Sequence, residues 1–303
     1  MYSVNSHLKF VRKSAHPLLS PQAGTFYAEG ATTADVLEFQ QEILLLFGGM
    51  SADHERIGLA SVEKDSFDGT NWTRWFSKPV LDIGNPGDFD SLHVTDPATI
   101  VANGQIHLYY SGLGQGEDAI GLAVSEDGRV FNKISPAPVI GGRAPEIVLY
   151  NDCFYLFFVR ANPLGGYSIY LNVSEDGTHF SERESKIVLS PKPNSWDGYS
   201  ITTPRILKTD DHFMMIYAGD DQSQDQPKSF GVAFSQDLVN WSRYDRGPVF
   251  TRGQPGSWDE EAIWFGTPYT YKDRIFMLYE GCQNPVGHEA PLSQVGIAEL
   301  VSI

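Results

Sequence analysis

Three acidic residues, Glu29, Asp96 and Glu146, stand on short segments that resemble one another along the chain. A pair of carboxyl groups held at one place is what cleavage of a glycosidic bond needs. One stays protonated to assist the leaving oxygen, the other stays ionised, and an oxocarbenium-like transition state forms between them. Glu29 and Asp96 can supply that pair. Arg143, Arg160 and Arg205 lie on comparable segments. Their planar guanidinium forks suit a carboxylate or a phosphate, which points to an anionic sugar or to inorganic phosphate taking the place of water. Asp220 and Glu280 close neighbouring segments, and Trp264 and Tyr269 suit stacking on a flat ligand. The competing reading of each acid and arginine is a buried salt bridge that ties strands together.

A repeat would bring these residues to one place. Phe10, Trp72, Phe131 and Trp241 are each followed seven positions later by a proline, Pro17, Pro79, Pro138 and Pro248, and Phe180 keeps the spacing with Ile187. Before the last four of these aromatics comes a short strand and turn: IGLASVEKDSFDG, IGLAVSEDG, IYLNVSEDG and FGVAFSQD. Asp-Gly turns between apolar runs are a hairpin signal. A fifth such strand, Val295 to Ile303, has no partner after it, whereas Phe10 to Leu19 has no strand before it, so the two ends are expected to pair. The segments TFYAEGATT, HVTDPATI, RAPEIVLY, ITTPRILK and FGTPYTYK are read as innermost strands. Four of them share a proline, Pro97, Pro145, Pro204 and Pro268, with Gly30 in the first. Each precedes an apolar strand such as EILLLFGG or FMMIYAGD, continuous because both faces are buried. The expectation is an all-β chain: a single domain over 1–303, a five-bladed β-propeller of four-stranded antiparallel blades, closed by the N-terminal strand joining the last blade.

The "TDPATI…IHLYYSG" unit and the recurring "IGLA-VSEDG-F" resemble the five-bladed propeller glycosidases, glycoside hydrolase families 43, 32 and 68 and the related phosphorylases of family 130. The resemblance implies an acid before the shared proline of the first blade as nucleophile or base, where Glu29 precedes Gly30. It implies a transition-state-stabilising acid in the second blade, where Asp96 precedes Pro97. It also implies a general acid two places before the proline of the third blade, and there the chain has Arg143, which cannot donate a proton near neutral pH. Glu146, after Pro145, is one candidate substitute; because three positions along a strand change the facing direction, its other reading is an acidic position that the family uses for orientation, and the general acid is left unassigned.

A net charge of −16 and a pI near 4.8 argue against nucleic acid and anionic membranes as partners, since both need clustered Lys and Arg. Cys153 and Cys282 show no ligand spacing, so neither a disulfide framework nor a zinc site is expected; the resemblance allows a Ca²⁺ ion in the axial channel, but no loop has ligand spacing that requires one, and neither a metal nor a cofactor is expected. The N-terminal stretch lacks the apolar core of a signal peptide, which makes a cytoplasmic protein the expectation. His93 and His107 flank Asp96 and are read as hydrogen-bonding residues. Asp90, Asp197 and Asp259, each after an aromatic, are read as turn or capping residues, as are the acids of the SEDG turns. The function expected is a glycoside hydrolase-like enzyme acting on a carbohydrate or glycoside. The rivals are a different enzyme on the same scaffold, a phosphorylase or one with an anionic or non-sugar substrate, and a non-catalytic binding propeller.

Overall fold

The structure is a computed structural model that describes residues 7–283 and 292–302. The described residues are all-β apart from two single 3-10 turns. The chain divides into two compact units, one formed by Met1–Ser20, Val159–Tyr170 and Ile187–Ile303, the other by Pro21–Phe158 and Leu171–Lys186.

In the first unit a four-stranded sheet runs in the order Leu8–Arg12, Gln294–Ser302, Arg274–Cys282, Ala262–Tyr271. The chain ends therefore share one antiparallel sheet, with Phe10 opposite Leu300 and a further bridge from Leu19 to Val295. That pairing leaves no unpaired edge on the strand Gln294–Ser302. A second sheet places Ser200–Lys208, Phe213–Asp220, Ser229–Ser235 and Ser242–Arg243 in sequence order. All eight residues of Phe213–Asp220 are buried, as expected of a strand covered on both faces. Leu8, Phe10, Ile216, Phe230, Ile263 and Met277 share one core. Fully burying each such side chain is worth about 1.5–3 kcal/mol.

In the second unit two sets of strands, Gly30–Phe39, Glu42–Ser51, His54–Glu63 and His93–Ala102, Gln105–Leu113, Ala119–Ser125, are each antiparallel inside. The sequence predicts separate blades here; the structure instead merges them into one nine-stranded sheet through a single parallel pair, Glu55 opposite His93. Beside that pair the Glu55 amide donates to Nδ1 of His93 at 3.3 Å. Arg143–Tyr150, Cys153–Ala161, Tyr167–Ser174 and Lys186–Leu189 follow one another in a further four-stranded sheet.

The acids of the SEDG turns behave as expected. Asp127, Asp176 and Asp237 each accept backbone N–H groups two and three residues on, beside a serine hydroxyl two residues back. These donors hold Asp176 and Asp237 far below the ordinary carboxylate range.

Asp90, Asp197 and Asp259 are different from the turn residues predicted. All three are at most 1% exposed. They accept the phenol hydroxyls of Tyr110, Tyr217 and Tyr279 at 2.8, 3.0 and 3.0 Å. Each also meets a cation: Lys133 at 2.6 Å, Arg243 at 3.0 Å and Arg12 at 2.6 Å. Burial first, then the facing carboxylate, pushes the three phenols up, so they remain donors. The aromatic residue before each Asp, Phe89, Trp196 or Trp258, stacks on the same tyrosine. The glycine two residues after the tyrosine completes the fit. A Cβ at Gly112, Gly219 or Gly281 would lie 2.7, 2.9 or 2.6 Å from the Cβ of the Asp. One aromatic-Asp dipeptide and one Tyr-x-Gly thus lock the start of an inner strand to the strand beside it.

The terminal strands carry a second tie. Glu299 accepts Arg274 Nε at 2.6 Å and Nη2 at 2.5 Å, and Lys13 Nζ at 2.7 Å. Those bonds, Arg274's the largest cause, lower its carboxyl from the ordinary 4.5 to about 2. A carboxyl lowered on folding stabilises the native state above its unfolded value and loses that contribution as pH falls. Thermal melts between pH 4.5 and 2 are expected to show a shallower decline for Glu299→Gln than for the parent. Added salt narrows the gap because Arg274 is half exposed. Parallel curves would refute the assignment.

Candidate active site

Strand pairing slips at one place in the inner strands: between Thr32 and Ala34, Thr95 and Ala98, Thr202 and Arg205, and Trp264 and Thr267. These are β-bulges, which bend a strand and re-aim a side chain. The extra residue adopts positive φ at Asp96 (55°), Thr203 (48°) and Phe265 (51°), and Ala144 (52°) does the same on Arg143–Tyr150. Left-handed backbone at a residue with a Cβ costs about 1–2 kcal/mol, and such strain collects at functional positions. Proline follows three of these residues, at Pro97, Pro145 and Pro204, a bulge position where its missing N–H costs no ladder bond. In the last inner strand the matching residue is Gly266 rather than the expected Pro268. A Cβ at Gly266 would lie 2.8 Å from Ile216 and 2.9 Å from Met277 Sδ, so a larger residue does not fit.

The bulges also fix the first strand's register. Counted from them, the residue matching Asp96 is Thr33. Glu29 lies four positions earlier, exposed before the strand begins, with its amide donating to the Met50 carbonyl.

Asp96 is 4% exposed and held by hydroxyl groups. Ser111, on Gln105–Leu113, lies 2.7 Å from its Oδ2. The Ala144 amide donates to that same Ser111 oxygen at 2.8 Å, which directs the serine proton onto Asp96. Thr33 and Thr95 place their hydroxyls 3.3 and 3.4 Å from Oδ1. Two inner strands and the strand Gln105–Leu113 thus meet at one carboxyl group. Beside it is an acid that sequence reading did not single out. Glu55 Oε1 lies 3.3 Å from the Thr32 hydroxyl and 3.4 Å from that of Thr95. Thr95 therefore stands between two carboxyl groups. The space for this cluster comes from Gly48, where a Cβ would fall 2.0 Å from Thr32 Oγ1 and 3.2 Å from Thr95 Oγ1.

His93 begins the Asp96 strand. Its Nδ1 receives the Glu55 amide, so the 3.7 Å approach of Glu55 Oε2 to that lone pair is not an ion pair. Burial, then the neighbouring His54, holds the imidazole below its ordinary value against the pull of Asp118 and Asp53. Asp118 also lies 3.8 Å from Arg143 Nε, and its carbonyl accepts the Gly142 amide. Arg143 is thereby set at the same ends of the strands as Asp96. Glu146 is buried on the same strand, three residues on. One layer away, Asp35 accepts Thr99 N at 2.7 Å and Thr99 Oγ1 at 2.5 Å, pinning two inner strands together. His107 is buried against Phe154, and burial lowers its imidazole.

The other sequence-predicted residues lie in the first unit. Arg205 is fully buried with its guanidinium 5.0 Å from the ring centre of Phe265, whose amide donates to Thr203 at 3.3 Å. Arg160 stands 5.6 Å over the Tyr170 ring. Asp220 is buried, pairs with Lys228 at 3.0 Å and accepts the amides of Gln222 and Ser223, which occupies it structurally. Glu280 is buried opposite half-buried Trp264. Tyr269 is buried and stacked on Phe276, in the core rather than at an open mouth. Among the described residues no group of three or more His, Cys, Asp or Glu is placed to hold a metal. None of their helices is long and apolar enough to cross a membrane.

Residues 139–280 match a family model described as β-1,4-mannooligosaccharide phosphorylase, of glycoside hydrolase family 130. A 1,2-β-oligomannan phosphorylase of Thermoanaerobacter sp. (strain X514) is 25% identical over 231 residues, 70% of this chain and 72% of that protein. The β-1,2-mannobiose phosphorylase from Listeria innocua superposes with a TM-score of 0.73 at 15% identity, covering 96% of both chains. A structure described as from the GH130 family of mannoside phosphorylases, containing glycoside hydrolases that target β-1,2 mannosidic linkages in Candida mannan, gives 0.76 at 16% identity, over 99% of this chain and 95% of that one. The chain is thus similar to the propeller glycosidase superfamily and is a glycosidase-like enzyme.

Proposed function

We propose that the chain cleaves β-mannosidic linkages in mannooligosaccharides by phosphorolysis, with Asp96 as the proton donor. The observation that carries this reading is the agreement of the family model and the Thermoanaerobacter relative on mannoside phosphorylase activity. The site supports it chemically. Phosphate arrives already anionic and needs no base, so phosphorolysis asks the protein for one acid, whereas hydrolysis by inversion asks for an acid and a base. Asp96 is a buried carboxyl group gripped from three strands, and Arg143 offers a guanidinium nearby for a phosphate oxygen.

In this reading a bond forms between C1 and a phosphate oxygen as the C1–O bond to the leaving sugar breaks. The leaving oxygen keeps the bonding pair and takes the proton of Asp96. The incoming dihydrogen phosphate gives up one proton overall, which balances the one taken by the leaving sugar, and Asp96 is left as a carboxylate to be reprotonated before the next turnover. Ser111 holds Oδ2 as an acceptor, so the transferable proton resides on Oδ1. The recurrence of one inner-strand position, four times at a pairing slip (Thr33, Asp96, Thr203, Phe265) and once by positive φ (Ala144), supports five blades as the finer reading of the fold.

The test is product analysis with β-mannooligosaccharides. Mannose 1-phosphate is expected, with turnover rising with phosphate and negligible without it. Hydrolysis is the second reading, favoured by the hydrolases in the similar structure. Free mannose released at a rate indifferent to phosphate would establish it in place of phosphorolysis.

A further inference from the structure

We propose that Glu55 recharges Asp96 with protons through the hydroxyl of Thr95, a relay leading from the half-buried edge of the site to a carboxyl group that is 4% exposed. The inference rests on the reading of Asp96 as the proton donor. Each turnover leaves Asp96 as a carboxylate, and at 4% exposure it has little direct access to water. Its three side-chain neighbours are hydroxyls. Ser111 is committed, since it accepts the Ala144 amide and donates to Oδ2. Thr33 and Thr95 face Oδ1. Only Thr95 also touches a second acid in the contacts described, with Glu55 Oε1 and Asp96 Oδ1 both 3.4 Å from its oxygen.

A hydroxyl has one proton and two lone pairs, so Thr95 donates to one carboxyl group while it accepts from the other. The step is balanced without any further reactant. Glu55 Oε1–H gives its proton to Thr95 Oγ as Thr95 Oγ–H gives its own to Asp96 Oδ1. Glu55 ends as the carboxylate and Asp96 as the acid. Glu55, 15% exposed at its side chain, is the more accessible of the two and can be reprotonated at the rim. The relay is built into the strand register. Glu55 pairs across the sheet with His93, two residues before Thr95, so period-two alternation puts the threonine on the side facing the acid. Thr32 supplies a further hydroxyl to Glu55 Oε1, and Gly48 leaves room for both threonines.

Glu55 acts through Thr95 and is a positioning and relay residue, so its test must separate proton supply from packing. Turnover is compared on β-mannobiose, whose departing sugar oxygen needs a proton, and on a dinitrophenyl β-mannoside, whose phenolate leaves without one. Thr95→Val and Glu55→Gln are each expected to lower kcat on β-mannobiose by about a hundredfold, in the range of general acid catalysis. The dinitrophenyl substrate should lose far less. Combining the two should cost little more than either alone, because they interrupt one path. Thr95→Ser, which keeps the hydroxyl, should recover most of the rate. Equal losses on both substrates, additive losses in the double variant, or failure of Thr95→Ser to rescue would overturn the relay. If Asp96→Asn keeps full turnover on β-mannobiose, the donor assignment itself is wrong. If that variant is inactive while Thr95→Val is not, only the relay falls.

Discussion

Asp96→Asn is expected to lower kcat/KM for β-mannooligosaccharide phosphorolysis by about 100- to 10,000-fold, the span attributed to general acid catalysis. Asn has nearly the size of Asp, and its carbonyl can still accept from Ser111, so the fold should persist. Its amide offers no transferable proton. The effect should therefore lie in kcat, with KM nearly unchanged, since an interaction present only in the transition state has been removed. Steady-state kinetics at saturating phosphate, beside a melting curve, measure both. A large rise in KM with kcat intact would make Asp96 a substrate-holding residue instead. Ser111→Ala should fall between, because it removes the donor that fixes Oδ2 but leaves the carboxyl group in place.

Asp259→Ala is expected to have the largest effect on stability, about 3–5 kcal/mol, typical of breaking a buried pair from one side. Asp259 is fully buried, and three donor contacts converge on its Oδ2: Arg12 Nε at 2.8 Å, Arg12 Nη2 at 2.6 Å and Tyr279 OH at 3.0 Å. Alanine leaves the phenol buried without its acceptor and releases the guanidinium that fastens Leu8–Arg12. Arg12 also lies 4.3 Å from the Phe250 ring centre and donates to the Thr251 carbonyl, so it is not freed altogether. Denaturant unfolding monitored by fluorescence reads the difference directly. A loss under 1 kcal/mol would show that the lock is dispensable.

Much of the architecture could be read from residue order because each strand set repeats its own signals. The apolar run, the Asp-Gly turn and the aromatic seven residues before a proline recur, and the logic of an unpaired edge joins the segment from Phe10 to the one from Val295, where the structure sets Phe10 opposite Leu300. Asp96 was legible for a similar reason, as a polar residue inside a buried strand next to a proline. Glu29 stands elsewhere than the alignment by proline suggests because Gly30 is not the counterpart of Pro97. Matching threonines instead, Thr32-Thr33 with Thr95-Asp96 and Thr202-Thr203, would have found the register. Glu55 gave no signal at all, since it lies beside a hairpin turn and reaches Thr95 only through pairing between two strand sets. The Asp–Tyr–cation locks were missed for a related reason. Their cations lie far away in sequence, as Arg12 does from Asp259, and nothing local distinguishes such an aspartate from a turn residue.

The shared sheet of the two chain ends sets a timetable for biosynthesis. Leu8–Arg12 leaves the ribosome long before Gln294–Ser302 exists, and at 5–20 residues per second the delay is roughly a quarter of a minute to a minute. Until then Leu8 and Phe10, buried in the finished molecule, lack their cross-strand neighbours Ser302 and Leu300, and only contacts such as those of their amides with the Tyr244 hydroxyl and the Val249 carbonyl can form earlier. A translational stall before Gln294 would prolong that state, in which an unpaired strand edge and exposed apolar side chains favour association with other chains.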